Sequence, residues 1–153
     1  MRQNEERDVY MIALGSDHAG YRLKQEIIKY LDSHGFDWKD YGTFSEESCD
    51  YPVYAQAVAR AILDGDCDRG LLFCGTGVGI AMAANKVPGI RAASCSDVFS
   101  AEMCRRHNNA QILALGGRVV GTGLAEKLVE VFLAAEFEGG RHARRVEMID
   151  GIK

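Results

Sequence analysis

Cys74-Gly-Thr-Gly-Val-Gly79 carries the sharpest chemical signal in the sequence. Gly75, Gly77 and Gly79 alternate after an apolar run, Gly70-Leu-Leu-Phe-Cys74, and lead into an Ala-rich stretch. A Gly-rich turn entering a helix exposes backbone N–H groups, and the helix dipole favours an anion there. Cys74 at the mouth of such a turn has donors within reach of its sulfur, the setting in which a cysteine acts as base or nucleophile. A plain tight turn would not require three alternating glycines. A dinucleotide fingerprint fits poorly. The pattern G-x-G-x-x-G needs glycine where Ile80 stands, and the loop follows the third apolar run instead of the first.

Three further groups could act with this loop. Asp17-His18-Ala-Gly20 follows the first apolar run; Asp17 can cap the helix that comes next, and capping does not exclude a catalytic part. Arg105-Arg-His-Asn108 brings His107 and Asn108, with a solvated helix end as the plain alternative for the histidine. Gly139-Gly-Arg-His-Ala-Arg-Arg145 is a basic cluster in an acidic chain. On a helix Arg141 and Arg145 share one face, and two guanidinium forks suit a phosphate monoester; the alternative is an ordinary solvated face. His34 reads as a structural helix end. Cys49, Cys67, Cys95 and Cys104 read as small buried side chains.

The elements that must position these residues alternate. Val9–Leu14 reads as a buried strand, followed by a helical stripe at Leu23, Ile27, Ile28 and Leu31. Phe36–Tyr41 is a second strand, and Val53, Ala57, Val58, Ala61 and Ile62 mark a helix that starts near Pro52. Gly70–Cys74 is the third strand, with a helix over about 78–86. Ile90–Cys95 and Gln111–Leu115 are strands four and five, separated by a helix from Asp97 to about His107. Leu124, Leu128, Val131 and Phe132 mark a fifth helix, and the tail reads as a short basic helix. Strands alternating with helices predict a single Rossmann-like, doubly wound α/β domain over 9–153, with a five-stranded parallel sheet in the order 2-1-3-4-5. Residues 1–8 form a polar extension. Ligands of such sheets bind at the carboxyl ends of strands where the order reverses, so strands one and three should bring Asp17, His18 and Cys74 together.

Composition narrows the function classes. A chain of 153 residues with a formal net charge of −4 is a poor nucleic-acid binder. No apolar run approaches the length of a membrane span. The five cysteines are odd in number and show no C-x-x-C spacing, which argues against a disulfide framework or a zinc knuckle and for reduced thiols in the cytoplasm.

Taken in order, Gly15-Ser-Asp-His-Ala-Gly20, Asp50-Tyr-Pro52, Cys74-Gly-Thr-Gly-Val-Gly-Ile80, Ala84-Asn-Lys86, Gly89-Ile-Arg91, Arg106-His-Asn108 and Glu138-Gly-Gly-Arg-His142 resemble type B ribose-5-phosphate isomerase. That group sits in the family that also holds the galactose-6-phosphate isomerase subunits. The resemblance spans about residues 9–150. It implies a cofactor-free, metal-free interconversion of ribose 5-phosphate and ribulose 5-phosphate in the pentose phosphate pathway, by a homodimer or a dimer of dimers with composite sites. It implies that Cys74 is the proton-abstracting base and that His107 opens the furanose ring with help from Thr76. Asp17 would lie near the sugar oxygens. Gly75, Gly77, Val78 and Gly79 would form the anion hole. His18, Arg141 and Arg145 would grip the phosphate, with Asn108, Arg118 and Tyr51 lining the site. Asn109 and Cys49 depart from the family's common Asp and Thr. Two alternatives stand beside this: an isomerase of a six-carbon sugar phosphate such as galactose or allose 6-phosphate, and a non-catalytic sugar-phosphate-binding module. His107 precedes strand five, on the side of the sheet opposite the exit of the Cys74 loop, so a partner subunit is expected to complete the site.

Overall fold

The structure, a computed structural model, describes residues 11–153; the extension over 1–8 and the expected strand start at Val9 lie outside the described residues. The order of elements is β1 (Met11–Ser16), α1 (Tyr21–Ser33), β2 (Asp37–Asp40), α2 (Tyr51–Leu63), β3 (Arg69–Cys74), α3 (Val78–Asn85), β4 (Ala92–Ser94), α4 (Val98–Arg106), β5 (Ile112–Gly116), α5 (Thr122–Ala134) and α6 (Arg141–Asp150). All strand pairings are parallel. Side chains alternate across the sheet. On one face Ile12, Leu14, Leu71, Phe73, Leu113 and Leu115 meet α1, α4 and α5 through residues such as Ile27, Ala101 and Phe132. On the other, Ala13, Leu72, Ile112 and Ala114 meet α2 and α3 through Val58, Ala59, Ile80 and Ala84. This two-faced burial is what a doubly wound sheet requires. No helix among the described residues is long and apolar enough to cross a membrane.

The strand order is β2-β1-β3-β5-β4, which corrects the expected 2-1-3-4-5 at one end. The cause is composition. All of β5 is buried, so it takes the interior place beside β3, whereas Ala92-Ala-Ser94 is short and partly exposed and suits an edge. Asn85 blunts that edge: its Nδ2 donates to the Ala92 carbonyl at 2.9 Å and its Oδ1 accepts from the Ala92 N–H at 2.7 Å. β4 is also shorter than the expected Ile90–Cys95, because Ile90 is buried in the turn ahead of it.

Two local features bring chain segments to the carboxyl end of β3. Gly20 lies so close to the end of that strand that a Cβ would meet the Phe73 carbonyl at 2.3 Å, so only glycine lets α1 start here. Lys24, fully buried, donates to Asp40 Oδ1 at 2.8 Å and to the Thr43 carbonyl, which pins the chain leaving β2 against α1. Burial pulls Lys24 below the ordinary lysine range, and Asp40 opposes that pull.

Candidate active site

The swap of β5 with β4 sets Cys74 beside Gly116 in register. The chain leaving β5 then bonds to the Cys74 loop: Gly117 N–H donates to the Cys74 carbonyl at 2.8 Å, and Arg118 N–H to the Gly75 carbonyl at 3.0 Å. A Cβ on Gly75 would touch the Arg118 side chain at 3.6 Å. Arg118 thus lies at the loop, brought there by a strand neighbour that the expected order did not supply.

Within the loop, Cys74 Sγ accepts the Gly77 N–H at 3.1 Å, and Thr76 Oγ1 accepts the Val78 N–H at 3.1 Å. Gly77 adopts φ 79° and is pressed against Leu115, where a Cβ would meet backbone at 2.8 Å. The turn is therefore closed around glycine. A donor sits on the sulfur, and the N-terminus of α3, whose first N–H is taken by Thr76, adjoins it, the kind of helix end that favours an anion. Tyr51, which opens α2, lies over Gly79, with its ring carbon Cζ 2.7 Å from where a Cβ would stand.

Asp17 is buried at the end of β1. Its Oδ1 accepts the Ala19 and Gly20 N–H groups at 2.9 and 3.0 Å, and its own N–H donates to the Phe73 carbonyl at 3.1 Å. It closes the turn into α1, whose N-cap is Gly20. His18 Nδ1 accepts the Cys49 N–H at 3.2 Å, which places the proton of the neutral ring on Nε2 and leaves that nitrogen as a donor. Cys49 is half-buried, not the buried filler expected, and its backbone orients His18. Asp17, His18, Tyr51, Cys74–Gly79 and Arg118 thus form one group.

His107, Asn108, Arg141 and Arg145 form another, at the opposite end of the sheet. His107 caps α4 and precedes β5, while Cys74 ends β3. The five residues of β5 alone span about 16 Å. His107 stacks on His142, centroids 4.2 Å apart and planes 6° from parallel. Its Nε2 lies 3.7 Å from Glu138 Oε2, which accepts the Arg106 Nε–H at 2.7 Å. Partial burial holds His142 below the usual imidazole range, with His107, Arg141 and Arg145 acting in the same direction and Glu138 against it. Arg141 and Arg145 are exposed on the first turns of α6.

Sequence reasoning found no metal-ligand spacing, yet the fold gathers His107, Glu138 and His142 with donor atoms within 4.8 Å of one another. It also gave Glu138 and His142 no part. The signal was their four-residue separation flanking Gly139-Gly140.

The chain matches the Ribose/Galactose Isomerase family over residues 12–149. It is 51% identical to ribose-5-phosphate isomerase B of Escherichia coli (strain K12), over 93% of this chain and 95% of that protein. The structure of Clostridium thermocellum ribose-5-phosphate isomerase B superposes with a TM-score of 0.90 at 55% identity, covering 92% of this chain and 95% of that one. Ribose-5-phosphate isomerase B from Mycoplasma genitalium, solved with bound ribulose-5-phosphate, gives 0.86 at 42% identity, covering 92% and 93%. With the Cys74 loop seated where a doubly wound sheet binds its ligand, this chain belongs to the ribose/galactose isomerase family.

Proposed function

We propose that the protein interconverts D-ribose 5-phosphate and D-ribulose 5-phosphate through an enediolate. The observation that carries this reading is the Cys74 sulfur, held by the Gly77 N–H at the mouth of the α3 N-terminus. On the open-chain aldose, Cys74 takes the proton from C2 and the electron pair moves to the carbonyl oxygen. Loop N–H groups between Gly75 and Gly79, other than those of Gly77 and Val78 that Cys74 Sγ and Thr76 Oγ1 hold, stabilise that oxyanion. The hydroxyl proton passes from O2 to O1, with Asp17 beside the sugar oxygens. Cys74 then returns its proton to C1. Atoms and electrons balance without an external redox partner.

The phosphate grip draws on His18, whose Nε2 is the free donor, and on Arg141 and Arg145. His107, with Thr76, opens the ring, and Asn108, Arg118 and Tyr51 line the site. Because His107, Asn108 and the two arginines sit at the far end of the sheet from Cys74, a partner copy supplies them. Exposed Val78 and Met82 on α3, and Met148 and Ile149 on α6, offer apolar surface for that partner. The unit is a homodimer, alone or paired as a dimer of dimers. Its compartment is the cytoplasm, where its free thiols stay reduced.

Ketose absorbance on ribose 5-phosphate, set against galactose and allose 6-phosphates, tests the reading. The five-carbon substrate should give the highest kcat/KM. A six-carbon preference would reassign the substrate, and no turnover on any sugar phosphate would leave a binding module.

A further inference from the structure

Among the described residues, one group of three His, Cys, Asp or Glu side chains is drawn close enough to share a cation, and within the chain it lies away from the Cys74 loop. His107 comes from the end of α4, Glu138 from the chain ahead of α6, and His142 from the first turn of α6. The His107 Nε2 to Glu138 Oε2 distance is 3.7 Å and the His142 Nε2 to Glu138 Oε1 distance 3.9 Å. Both exceed a hydrogen bond. Each imidazole therefore directs a nitrogen at a different oxygen of one carboxylate without bonding to it.

Those spacings are near what a metal ion imposes. Zinc binds imidazole nitrogen at about 2.0–2.1 Å and carboxylate oxygen at about 2.0–2.2 Å, so neighbouring ligand atoms of a tetrahedron stand roughly 3.3 Å apart. A contraction of about half an ångström brings both distances to Glu138 into range, and the imidazole nitrogens, within 4.8 Å of each other, must close by up to about 1.5 Å. Backbone holds the frame, since the Glu138 N–H donates to the Arg106 carbonyl at 2.9 Å. One adjustment is required. A shared ion lies in the plane of each ring, so the two stacked rings must splay from parallel, and His107, with 38% of its side chain exposed, has room to turn.

Charge and ligand type select the ion. Arg106, Arg141 and Arg145 surround the group, so a hard cation held by charge alone is disfavoured. Two imidazoles and one carboxylate favour zinc and its neighbours over magnesium or calcium.

We propose that His107, Glu138 and His142 form a binding site for Zn²⁺, and that an ion seated there withdraws His107 from ring opening and inhibits turnover. The binding stands on geometry alone; the inhibition rests on the isomerase reading above. Neutral imidazole and carboxylate ligands fill three positions and water the fourth.

Co²⁺ serves as the probe, titrated into the wild-type protein and into His142→Ala, Glu138→Gln and Cys74→Ala. One Co²⁺ per chain should bind with weak visible bands, without the intense near-ultraviolet band of a thiolate ligand, and Zn²⁺ should displace it. Affinity should fall at least about tenfold in His142→Ala and in Glu138→Gln and stay unchanged in Cys74→Ala. No saturable binding, wild-type affinity in the first two variants, or a thiolate band lost in Cys74→Ala overturns the site. Zn²⁺ should inhibit wild-type turnover reversibly, with chelator restoring it, and turnover unaffected at saturating Zn²⁺ overturns the inhibitory role. Failure of the isomerase reading looks different: metal-free protein would show no turnover, with Co²⁺ binding intact.

Discussion

Arg91 Nη1 lies 2.8 Å from both carboxylate oxygens of Asp150, tying the residue ahead of β4 to the last residue of α6. The same guanidinium donates from Nε to the Asn108 carbonyl at 3.0 Å and from Nη2 to the Asn109 carbonyl at 3.1 Å. One side chain therefore fixes the turn that carries His107 and Asn108 relative to the helix that carries Arg141 and Arg145. Asn109 sits in that turn at φ 49°, a conformation asparagine tolerates better than most residues.

Arg91→Ala should loosen both attachments at once. Charged hydrogen bonds contribute about 1.5–3 kcal/mol each in favourable settings, and the partly exposed Asp150 end belongs at or below the low limit. Asp150→Asn should accordingly be mild, and Arg91→Ala clearly destabilising in thermal unfolding. KM should rise more than kcat falls in both variants, since the arginines proposed to grip the phosphate would be displaced while the proposed base, Cys74, is untouched. An unchanged KM in Arg91→Ala would show that the turn holds its position without this clamp.

Cys74→Ala should fold normally and lose about 10²–10⁴-fold in kcat, the usual cost of removing a general base. Binding of inorganic phosphate or a phosphorylated inhibitor should persist, because His18 and the arginines remain. Calorimetry and steady-state assay on one preparation separate the two effects. Near-normal turnover would move the base to another residue.

Asp97 caps α4, the helix that delivers His107, by accepting the Ser100 N–H at 2.7 Å. That bond holds its carboxyl below the ordinary value of 3.8. A carboxyl with a depressed folded pKa contributes stability above the unfolded value and loses it as pH falls through the folded one. Asp97→Ala should therefore lower the melting temperature at neutral pH. The gap from wild type should close below pH 3.8, as the capping carboxylate takes up its proton. A gap that persists undiminished there would assign the effect to packing.

Much of this arrangement is legible in the sequence, for identifiable reasons. Glycines at 75, 77 and 79 announce the turn, and at Gly77 and Gly79 a side chain would collide with Leu115 backbone and the Tyr51 ring. The meeting of Asp17, His18 and Cys74 follows from the β1–β3 adjacency at the switch point. The place of β5 does not follow from periodicity, because Gln111–Leu115 and Ile90–Cys95 are both short apolar runs and only burial on both faces ranks them. The stacking of His107 on His142 is equally hidden. It depends on how the chain after α5 returns to α4, a tertiary contact with no local signature.

Replacing Arg141 or Arg145 should weaken phosphorylated substrate by about ten- to hundredfold, seen first in KM. Some loss of kcat is expected, since phosphate binding helps to position the reacting end. Competition by inorganic phosphate measures the contact without turnover. Unaltered phosphate affinity in both single variants would make the cluster a solvated helix face.

The separation of His107 from Cys74 across the sheet yields the most discriminating test. In a two-fold dimer each contact occurs twice, so in the proposed dimer His107 of either copy would complete the Cys74 site of the other. Cys74→Ala and His107→Ala homodimers should both be nearly inactive. In a mixed dimer one site then carries both lesions and the other carries neither. Random reassociation of equal amounts makes half the dimers mixed, so roughly a quarter of wild-type activity should return. If both residues served the same site from one chain, every site in the mixture would keep one lesion and activity would stay at background. Subunit exchange is verified separately, by mass spectrometry of differently tagged chains, so a negative result reports on site composition and not on failed mixing.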